Sequence, residues 1–291
     1  MEIALQFVLL ALGFVMLAKG ADWFVEGAAG IAMRFGIPQL VIGLTIVAMG
    51  TSAPEAAVSI AAAVKGNADI TIGNIVGSNI LNILVILGLA ASIVPIAVAR
   101  STVRIEIPFM IGVTALLFYQ GRDGSISLAD GGVLMVAFAT YMMYLYTMAM
   151  KSNVDSDLEE PGLPLGRCLL GAVGGLALII AGSNVTVGAA TSIATYAGLS
   201  ERFIGLTIVA LGTSLPELFT SVAAARRGNA DIAIGNIVGS NIFNILFVVG
   251  LSSLIIDIPF ASAFNFDTYV ALGAAVLLWL CVLRTQRLQR W

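Results

Sequence analysis

Long apolar stretches separated by short polar breaks run the length of this chain. Apolar segments near residues 3–30, 38–64, 70–94, 104–119 and 126–150 precede a hydrophilic link, and four more lie near 165–194, 201–225, 231–256 and 267–283. Runs of about 18 residues or more are long enough to cross the hydrocarbon layer as helices. Their apolar residues are contiguous and do not alternate with polar ones, which excludes an outer-membrane barrel. The pattern predicts an all-α polytopic membrane protein.

The same pattern occurs twice. Residues 42–89 read IGLTIVAMGTSAPEAAVSIAAAVKGNADITIGNIVGSNILNILVILGL, and residues 204–251 read IGLTIVALGTSLPELFTSVAAARRGNADIAIGNIVGSNIFNILFVVGL. At a constant offset of 162, 35 of the 48 positions are identical. That period is too long for a solenoid and fits two fused halves. Residues 1–150 form the first, with five helices; 151–164 are an acidic link on the cytoplasmic side; 165–291 form the second. Because an odd number of helices precedes the second copy, it enters the membrane upside down relative to the first.

Loop charges orient the chain. Ten basic residues (Arg34, Arg100, Arg104, Lys151, Arg167, Arg226, Arg227, Arg284, Arg287, Arg290) fall on one face and three (Lys65, Arg122, Arg202) on the other. Such a bias predicts a multi-pass protein of the cell (inner) membrane with its N-terminus outside the cytoplasm. The second half supplies four clear segments, not five. Its offset slips to about 161 where Gly112 meets Gly273, and Trp291 falls opposite Ala129, just before Asp130 begins the fifth helix of the first half. The expectation is that a tenth helix is missing from this chain, one that would add about 3 kDa to the mass of 30.2 kDa.

Composition narrows the chemistry. The chain is 59% hydrophobic and 11% charged, with mean hydropathy +1.01 and net charge −3. Its basic residues are scattered between segments, so the expected partner is the lipid bilayer and not nucleic acid; no protein partner is evident. Glu2 precedes the first segment and no cleavage site follows, as in a retained helix. The chain has no histidine, which removes histidine proton relays and histidine zinc sites. Cys168 and Cys281 lie in apolar segments and read as small packed side chains. The acidic link reads as a solvated loop.

The candidate site lies in the repeat. In Ala48-Met49-Gly50-Thr51-Ser52-Ala53-Pro54-Glu55, Pro54 has no N–H, so the Gly50 carbonyl loses its helical partner and the turn opens. Carbonyls freed between Ala48 and Thr51 cannot be satisfied by lipid and must face protein or a polar cavity. Glu55 follows the break, with the Thr51 and Ser52 hydroxyls nearby. Carbonyl, hydroxyl and carboxylate oxygens are the ligands of hard cations. The second copy repeats the set as Ala210, Gly212, Thr213, Ser214, Pro216 and Glu217. An intramembrane carboxylate is expensive, and two in inverted register point to function.

On the following helix Asn74, Ser78 and Asn82 share one face, as do Asn236, Ser240 and Asn244. Gly73 with Gly77 and Gly235 with Gly239 provide for close helix approach. Ser78, Asn82, Ser240 and Asn244 are read as ion contacts, whereas Asn79 and Asn241 are expected to face elsewhere and pack. The remaining intramembrane charges are taken to be Lys19, Asp22 and Glu26, on one face of the first segment at the aqueous rim. Ser52 and Ser214 have no base at motif spacing, so a hydrolase is disfavoured and the chain is not read as an enzyme. A passive channel remains as a rival reading of such an ion site.

GTSAPE and GTSLPE, each followed by GNIVGSNI, resemble the two α-repeats of the sodium/calcium exchanger family, of the prokaryotic type without a regulatory domain. The resemblance implies two inverted repeats of five helices, with discontinuous helices at a central ion site, and alternating access as the first helix of each half slides over a core. It implies transported Ca²⁺ and Na⁺ and no cofactor, with a calcium/proton antiporter on the same scaffold as the alternative to a sodium-coupled exchanger. Glu55 and Glu217 would take calcium with the carbonyls of Thr51 and Thr213. Sodium would use Ala48, Thr51, Ser52 and Ser240 on one side, and Ala210, Thr213, Ser214 and Ser78 on the other, with Asn82 and Asn244 completing the middle. Potassium-dependent members carry an acidic residue at the position of Asn244, so the asparagine argues against potassium cotransport.

Overall fold

The computed structural model describes residues 2–66, 68–152, 163–199, 208 and 210–289. Most of the acidic link, and residues 201–207 ahead of the second break, lie outside the described residues. Helix α1 spans Glu2–Arg34. It is followed by α2 (Gln39–Thr51) and α3 (Ala53–Val64), which meet at a 50° bend. Then come α4 (Ile70–Ile93), α5 (Thr102–Asp123), α6 (Leu128–Lys151) and α7 (Leu165–Tyr196). The second half continues with α8 (Ala210–Thr213), α9 (Leu215–Arg226), α10 (Ala230–Ile255) and α11 (Ala263–Leu283). Wherever described, these match the apolar segments to within a few residues at most ends.

The proline breaks fall where the sequence places them. Ser52 (φ −82°, ψ 5°) and Ser214 (φ −89°, ψ 3°) leave helical geometry, and Pro54 and Pro216 open the next helix, where a missing N–H costs nothing. Widened π-helical turns were not foreseen. They span Gly43–Val47, Asn82–Leu87, Thr102–Glu106 and Asn244–Val249. Two of them begin at Asn82 and Asn244, and such turns concentrate at functional sites.

The halves interlock about a pseudo-twofold axis. Two short antiparallel ladders join them: β1 (Ile96–Ala97) with β4 (Arg287–Leu288), and β2 (Ser125–Ile126) with β3 (Ile258–Pro259). Ile96 pairs with Leu288 and Ile126 with Ile258, so each ladder is the other displaced by 162 residues and the slip near Gly273 is recovered by the strands. Gly124 (φ 98°) and Gln286 (φ 50°) are also 162 apart, and both adopt the left-handed turn that ends a ladder.

Helices α1 and α7 lie antiparallel with backbones touching. A side chain at Gly20 would start 2.9 Å from the Gly175 carbonyl, and one at Gly27 would start 2.3 Å from the Ala172 nitrogen. Glycines at 13, 20 and 27 repeat at heptad spacing and form this seam. Helix α10 is the central element, buried along nearly its whole length. Gly235 and Gly239 admit it against α2, with backbone atoms 3.1 Å and 2.8 Å from where their side chains would begin. Helix α6 covers one flank of α10, so Leu246 is 0% exposed; its counterpart on α4, Leu84, is 45% exposed. Among the described residues no helix covers that flank of α4. The groove there runs between α4 and α11, past Gly88 and Ala274.

Candidate functional site

The two breaks meet in the centre of the molecule. Ser52 Oγ donates to Glu217 Oε1 at 2.8 Å, and Ser214 Oγ to Glu55 Oε1 at 3.4 Å. Each serine at a break therefore holds the glutamate of the opposite half. Both glutamates are 1% exposed, and each lies within Coulombic reach of the other. Among the described residues no lysine or arginine stands against either; the ion pairs found are those of Arg227 with Asp22 and Glu26. Two buried carboxylates without a countercharge form an electrostatically incomplete arrangement.

The polar stripes face these breaks. Asn74 Nδ2 donates to Ser59 Oγ (3.0 Å) and to the Glu55 carbonyl (3.3 Å); Asn236 Nδ2 does the same to Ser221 Oγ (2.9 Å) and the Glu217 carbonyl (3.4 Å). Asn236 Oδ1 also accepts from Thr51 Oγ1 at 3.0 Å. These two asparagines pin the helix after each break to its neighbour. One turn along, Ser240 Oγ donates to the Ala48 carbonyl at 3.4 Å, and Thr51 Oγ1 approaches the same carbonyl at 3.3 Å. Ser78 is buried at the equivalent place in the other half. Ala210 and Thr213 form the turn before the second break.

Asn82 and Asn244 sit a further turn along, and their fixing residues are ones the sequence reading set aside. Asn82 Nδ2 donates to Asn241 Oδ1 (3.0 Å) and Asn244 Nδ2 to Asn79 Oδ1 (3.1 Å). Asn79 Nδ2 and Asn241 Nδ2 in turn donate to each other's backbone carbonyls, at 3.1 Å and 3.3 Å. Asn79 and Asn241 therefore do not merely pack. They lie on the pseudo-twofold axis and orient Asn82 and Asn244. With both amide nitrogens committed, Asn82 Oδ1 and Asn244 Oδ1 have no protein donor, and neither do Glu55 Oε2 and Glu217 Oε2. Four buried oxygens, two from each half, are left free to act as ligands. The only sign in the sequence was the identity of GSNI in both copies.

A second omission concerns Glu106, which the sequence reading left out of the intramembrane charges. It ends the π-helical turn of α5, is 0% exposed, and accepts a 2.5 Å hydrogen bond from the Tyr144 hydroxyl on α6. The repeat places Thr268 at its position, so Glu106 does not belong to the symmetric site. Asp22 and Glu26, with side chains 44% and 49% exposed, pair with Arg227.

One side of the site is approached by a cleft of about 650 Å³ between α3 and α7, lined by Pro54, Val58, Ser183, Asn184 and Thr213. It opens away from the face that carries most of the basic residues. Ser183 Oγ donates at 2.8 Å to the carbonyl of Gly212, the one that Pro216 deprives of a helical partner. No equivalent bond forms at Gly50, because Ala21 occupies the matching position.

Comparison with known proteins agrees with this geometry. A family model described as sodium/calcium exchanger protein matches residues 5–147 and 168–291. The chain is 33% identical to the sodium/calcium exchanger MaX1 of Methanosarcina acetivorans, over 99% of this chain and 94% of that protein. It is 38% identical to the inner membrane protein YrbG of Escherichia coli, over 93% of this chain and 88% of that protein. Among solved structures, the sodium-calcium exchanger NCX_Mj soaked with Na⁺ and Sr²⁺ superposes with a TM-score of 0.87 at 34% identity, covering 99% of this chain and 94% of that one.

Proposed function

The chain belongs to the sodium/calcium exchanger family, a family of membrane transporters for Ca²⁺ exchange, and we propose that it is a secondary antiporter moving Na⁺ against Ca²⁺. Both ions would compete for one midplane site built on Glu55 and Glu217. The observation that carries the reading is the set of four partnerless buried oxygens: Glu55 Oε2, Glu217 Oε2, Asn82 Oδ1 and Asn244 Oδ1. Two carboxylates and two amide oxygens suit a calcium ion in both charge and hardness. Sodium would use the carbonyl and hydroxyl groups flanking each break: Ala48, Thr51, Ser52 and Ser240 in one group, Ala210, Thr213, Ser214 and Ser78 in the other.

Competition then supplies the coupling. A site holding either Ca²⁺ or several Na⁺ is neutralised and can cross, whereas an ion-free site carries about two buried negative charges and resists reorientation. Alternating access would follow from sliding of the α1/α7 pair over the broken helices. On the bias of the loop charges the basic face would lie in the cytoplasm, and the cleft beside Thr213 would admit ions from outside.

Uptake of Ca²⁺ into proteoliposomes driven by an outward Na⁺ gradient, with the pH gradient collapsed, tests the reading. Sodium-driven uptake that Ca²⁺ on the far side exchanges against is expected. Absence of uptake under those conditions overturns sodium coupling. Uptake driven by a pH gradient instead would favour proton exchange, for which the free carboxylate oxygens are also suited.

A further inference from the structure

The duplication contains an internal control for how access is sealed. At the offset of 162, the outer-cleft residues Pro54, Ser183, Asn184, Gly188 and Thr213 correspond to Pro216, Ala21, Asp22, Glu26 and Thr51. At this second location among the described residues the helices are packed together. Ala21, Val25, Thr51 and Thr220 are each 0% exposed. The Phe14 and Phe219 rings close the same side, with centroids 6.1 Å apart.

Arg227 lies across that closed side. It sits just beyond α9, and its Nε is 3.4 Å from Asp22 Oδ1 while Nη1 is 3.1 Å from Glu26 Oε2, both on α1. Its guanidinium thus joins the core to the helix proposed to slide. The opposite half has no such arrangement: Lys65 stands at the position of Arg227, and facing it are Asn184 and Gly188, which carry no charge. The α1/α7 backbones interlock at their glycine seam, so on the alternating-access reading the pair would move as one body and opening the inner side would close the outer cleft.

We propose that Arg227, with Asp22 and Glu26, is a one-sided ionic gate that holds the inner passage shut and biases the resting transporter to face outward. The inference rests on the alternating-access reading above. The three residues act by positioning α1 and touch no transported ion in this state. The paired side chains are between a third and a half exposed, so solvent screens them, and removing both pairs shifts the equilibrium by about two- to tenfold. Added salt weakens the gate in the same direction.

Cysteine accessibility tests this without any transport. In a background lacking Cys168 and Cys281, Ala21→Cys or Phe219→Cys reports the inner passage and Asn184→Cys the outer cleft. Modification by a membrane-impermeant charged thiol reagent is timed from each side in vesicles free of Na⁺ and Ca²⁺. Arg227→Gln, or Asp22→Asn with Glu26→Gln, should raise the inner rate about two- to tenfold, while the outer rate falls only by the smaller share of molecules that leaves the majority outward state. Exchanging the charges, Glu26→Arg with Arg227→Glu, should restore both towards the parent values. Unchanged rates overturn the gate. So does an inner rate that rises together with the outer rate, since a population shift cannot raise both and such a result marks local loosening. Failure of sodium-driven uptake with the labelling result intact would instead count against the exchange reading alone.

Discussion

Replacing Asn79 with alanine isolates the role of the axial asparagines. The substitution removes the acceptor of Asn244 Nδ2 at 3.1 Å and the donor to the Asn241 carbonyl at 3.1 Å. Interhelical hydrogen bonds inside membrane proteins average about 0.6 kcal/mol and reach about 1.7. The two together therefore contribute about 1–3 kcal/mol, towards the upper end because both partners are left buried. Ligand geometry should suffer as well, because Asn244 would be free to rotate and Oδ1 would lose its fixed direction. Loss of a group that orients a ligand typically weakens metal affinity about 10- to 100-fold. Thermal unfolding in detergent and calcium titration of the purified protein read the two effects separately. Asn241→Ala should reproduce both within a factor of about two, because Asn82 depends on Asn241 as Asn244 depends on Asn79. Calcium affinity unchanged in Asn79→Ala, whatever the stability, would refute the positioning argument.

Three further outcomes follow from particular contacts. Glu55→Gln or Glu217→Gln should abolish calcium exchange while leaving the fold intact, since glutamine keeps an acceptor for the opposing serine; a variant with parental calcium flux would contradict the assignment. Gly27→Ala should prevent stable assembly, because its methyl group would lie 2.3 Å from the Ala172 nitrogen and 2.5 Å from the Cys168 carbonyl; yield of monodisperse protein reads this directly. Tyr144→Phe should cost about 1–3 kcal/mol in thermal stability by leaving Glu106 Oε1 without its donor. Adding Glu106→Leu should recover most of that loss, because a buried polar pair can be exchanged for apolar packing.

Much of the molecule was legible from the chain. Membrane helices are written in runs of apolar residues, and each proline break follows from a missing N–H four residues after a carbonyl. The candidate site residues were readable for the same reason, since carboxylates and freed carbonyls at membrane depth have few other uses. Asn79 and Asn241 were misjudged because helical spacing turns them off the stripe of Asn74, Ser78 and Asn82. Only the approach of the two halves shows that this second face meets its own copy. Glu106 escaped notice because its partner, Tyr144, is 38 residues away on another helix.

The sequence alone determined that there are two homologous halves, that parity inverts them, and that each carries one carboxylate beside an opened turn. These are local or counting properties, fixed by backbone chemistry and by the alternation of sides at every crossing. Tertiary structure decided which oxygens remain free and which of two equivalent approaches is open. Neither could be read from the repeat, because nearly identical motifs have equal claim to either state. The choice falls to the unrepeated neighbours: Asp22 and Glu26 meeting Arg227 on one side, Asn184 and Gly188 meeting no charge on the other. An equilibrium between symmetric arrangements is set by such differences, and they act only once folding has brought residues some 200 positions apart into contact.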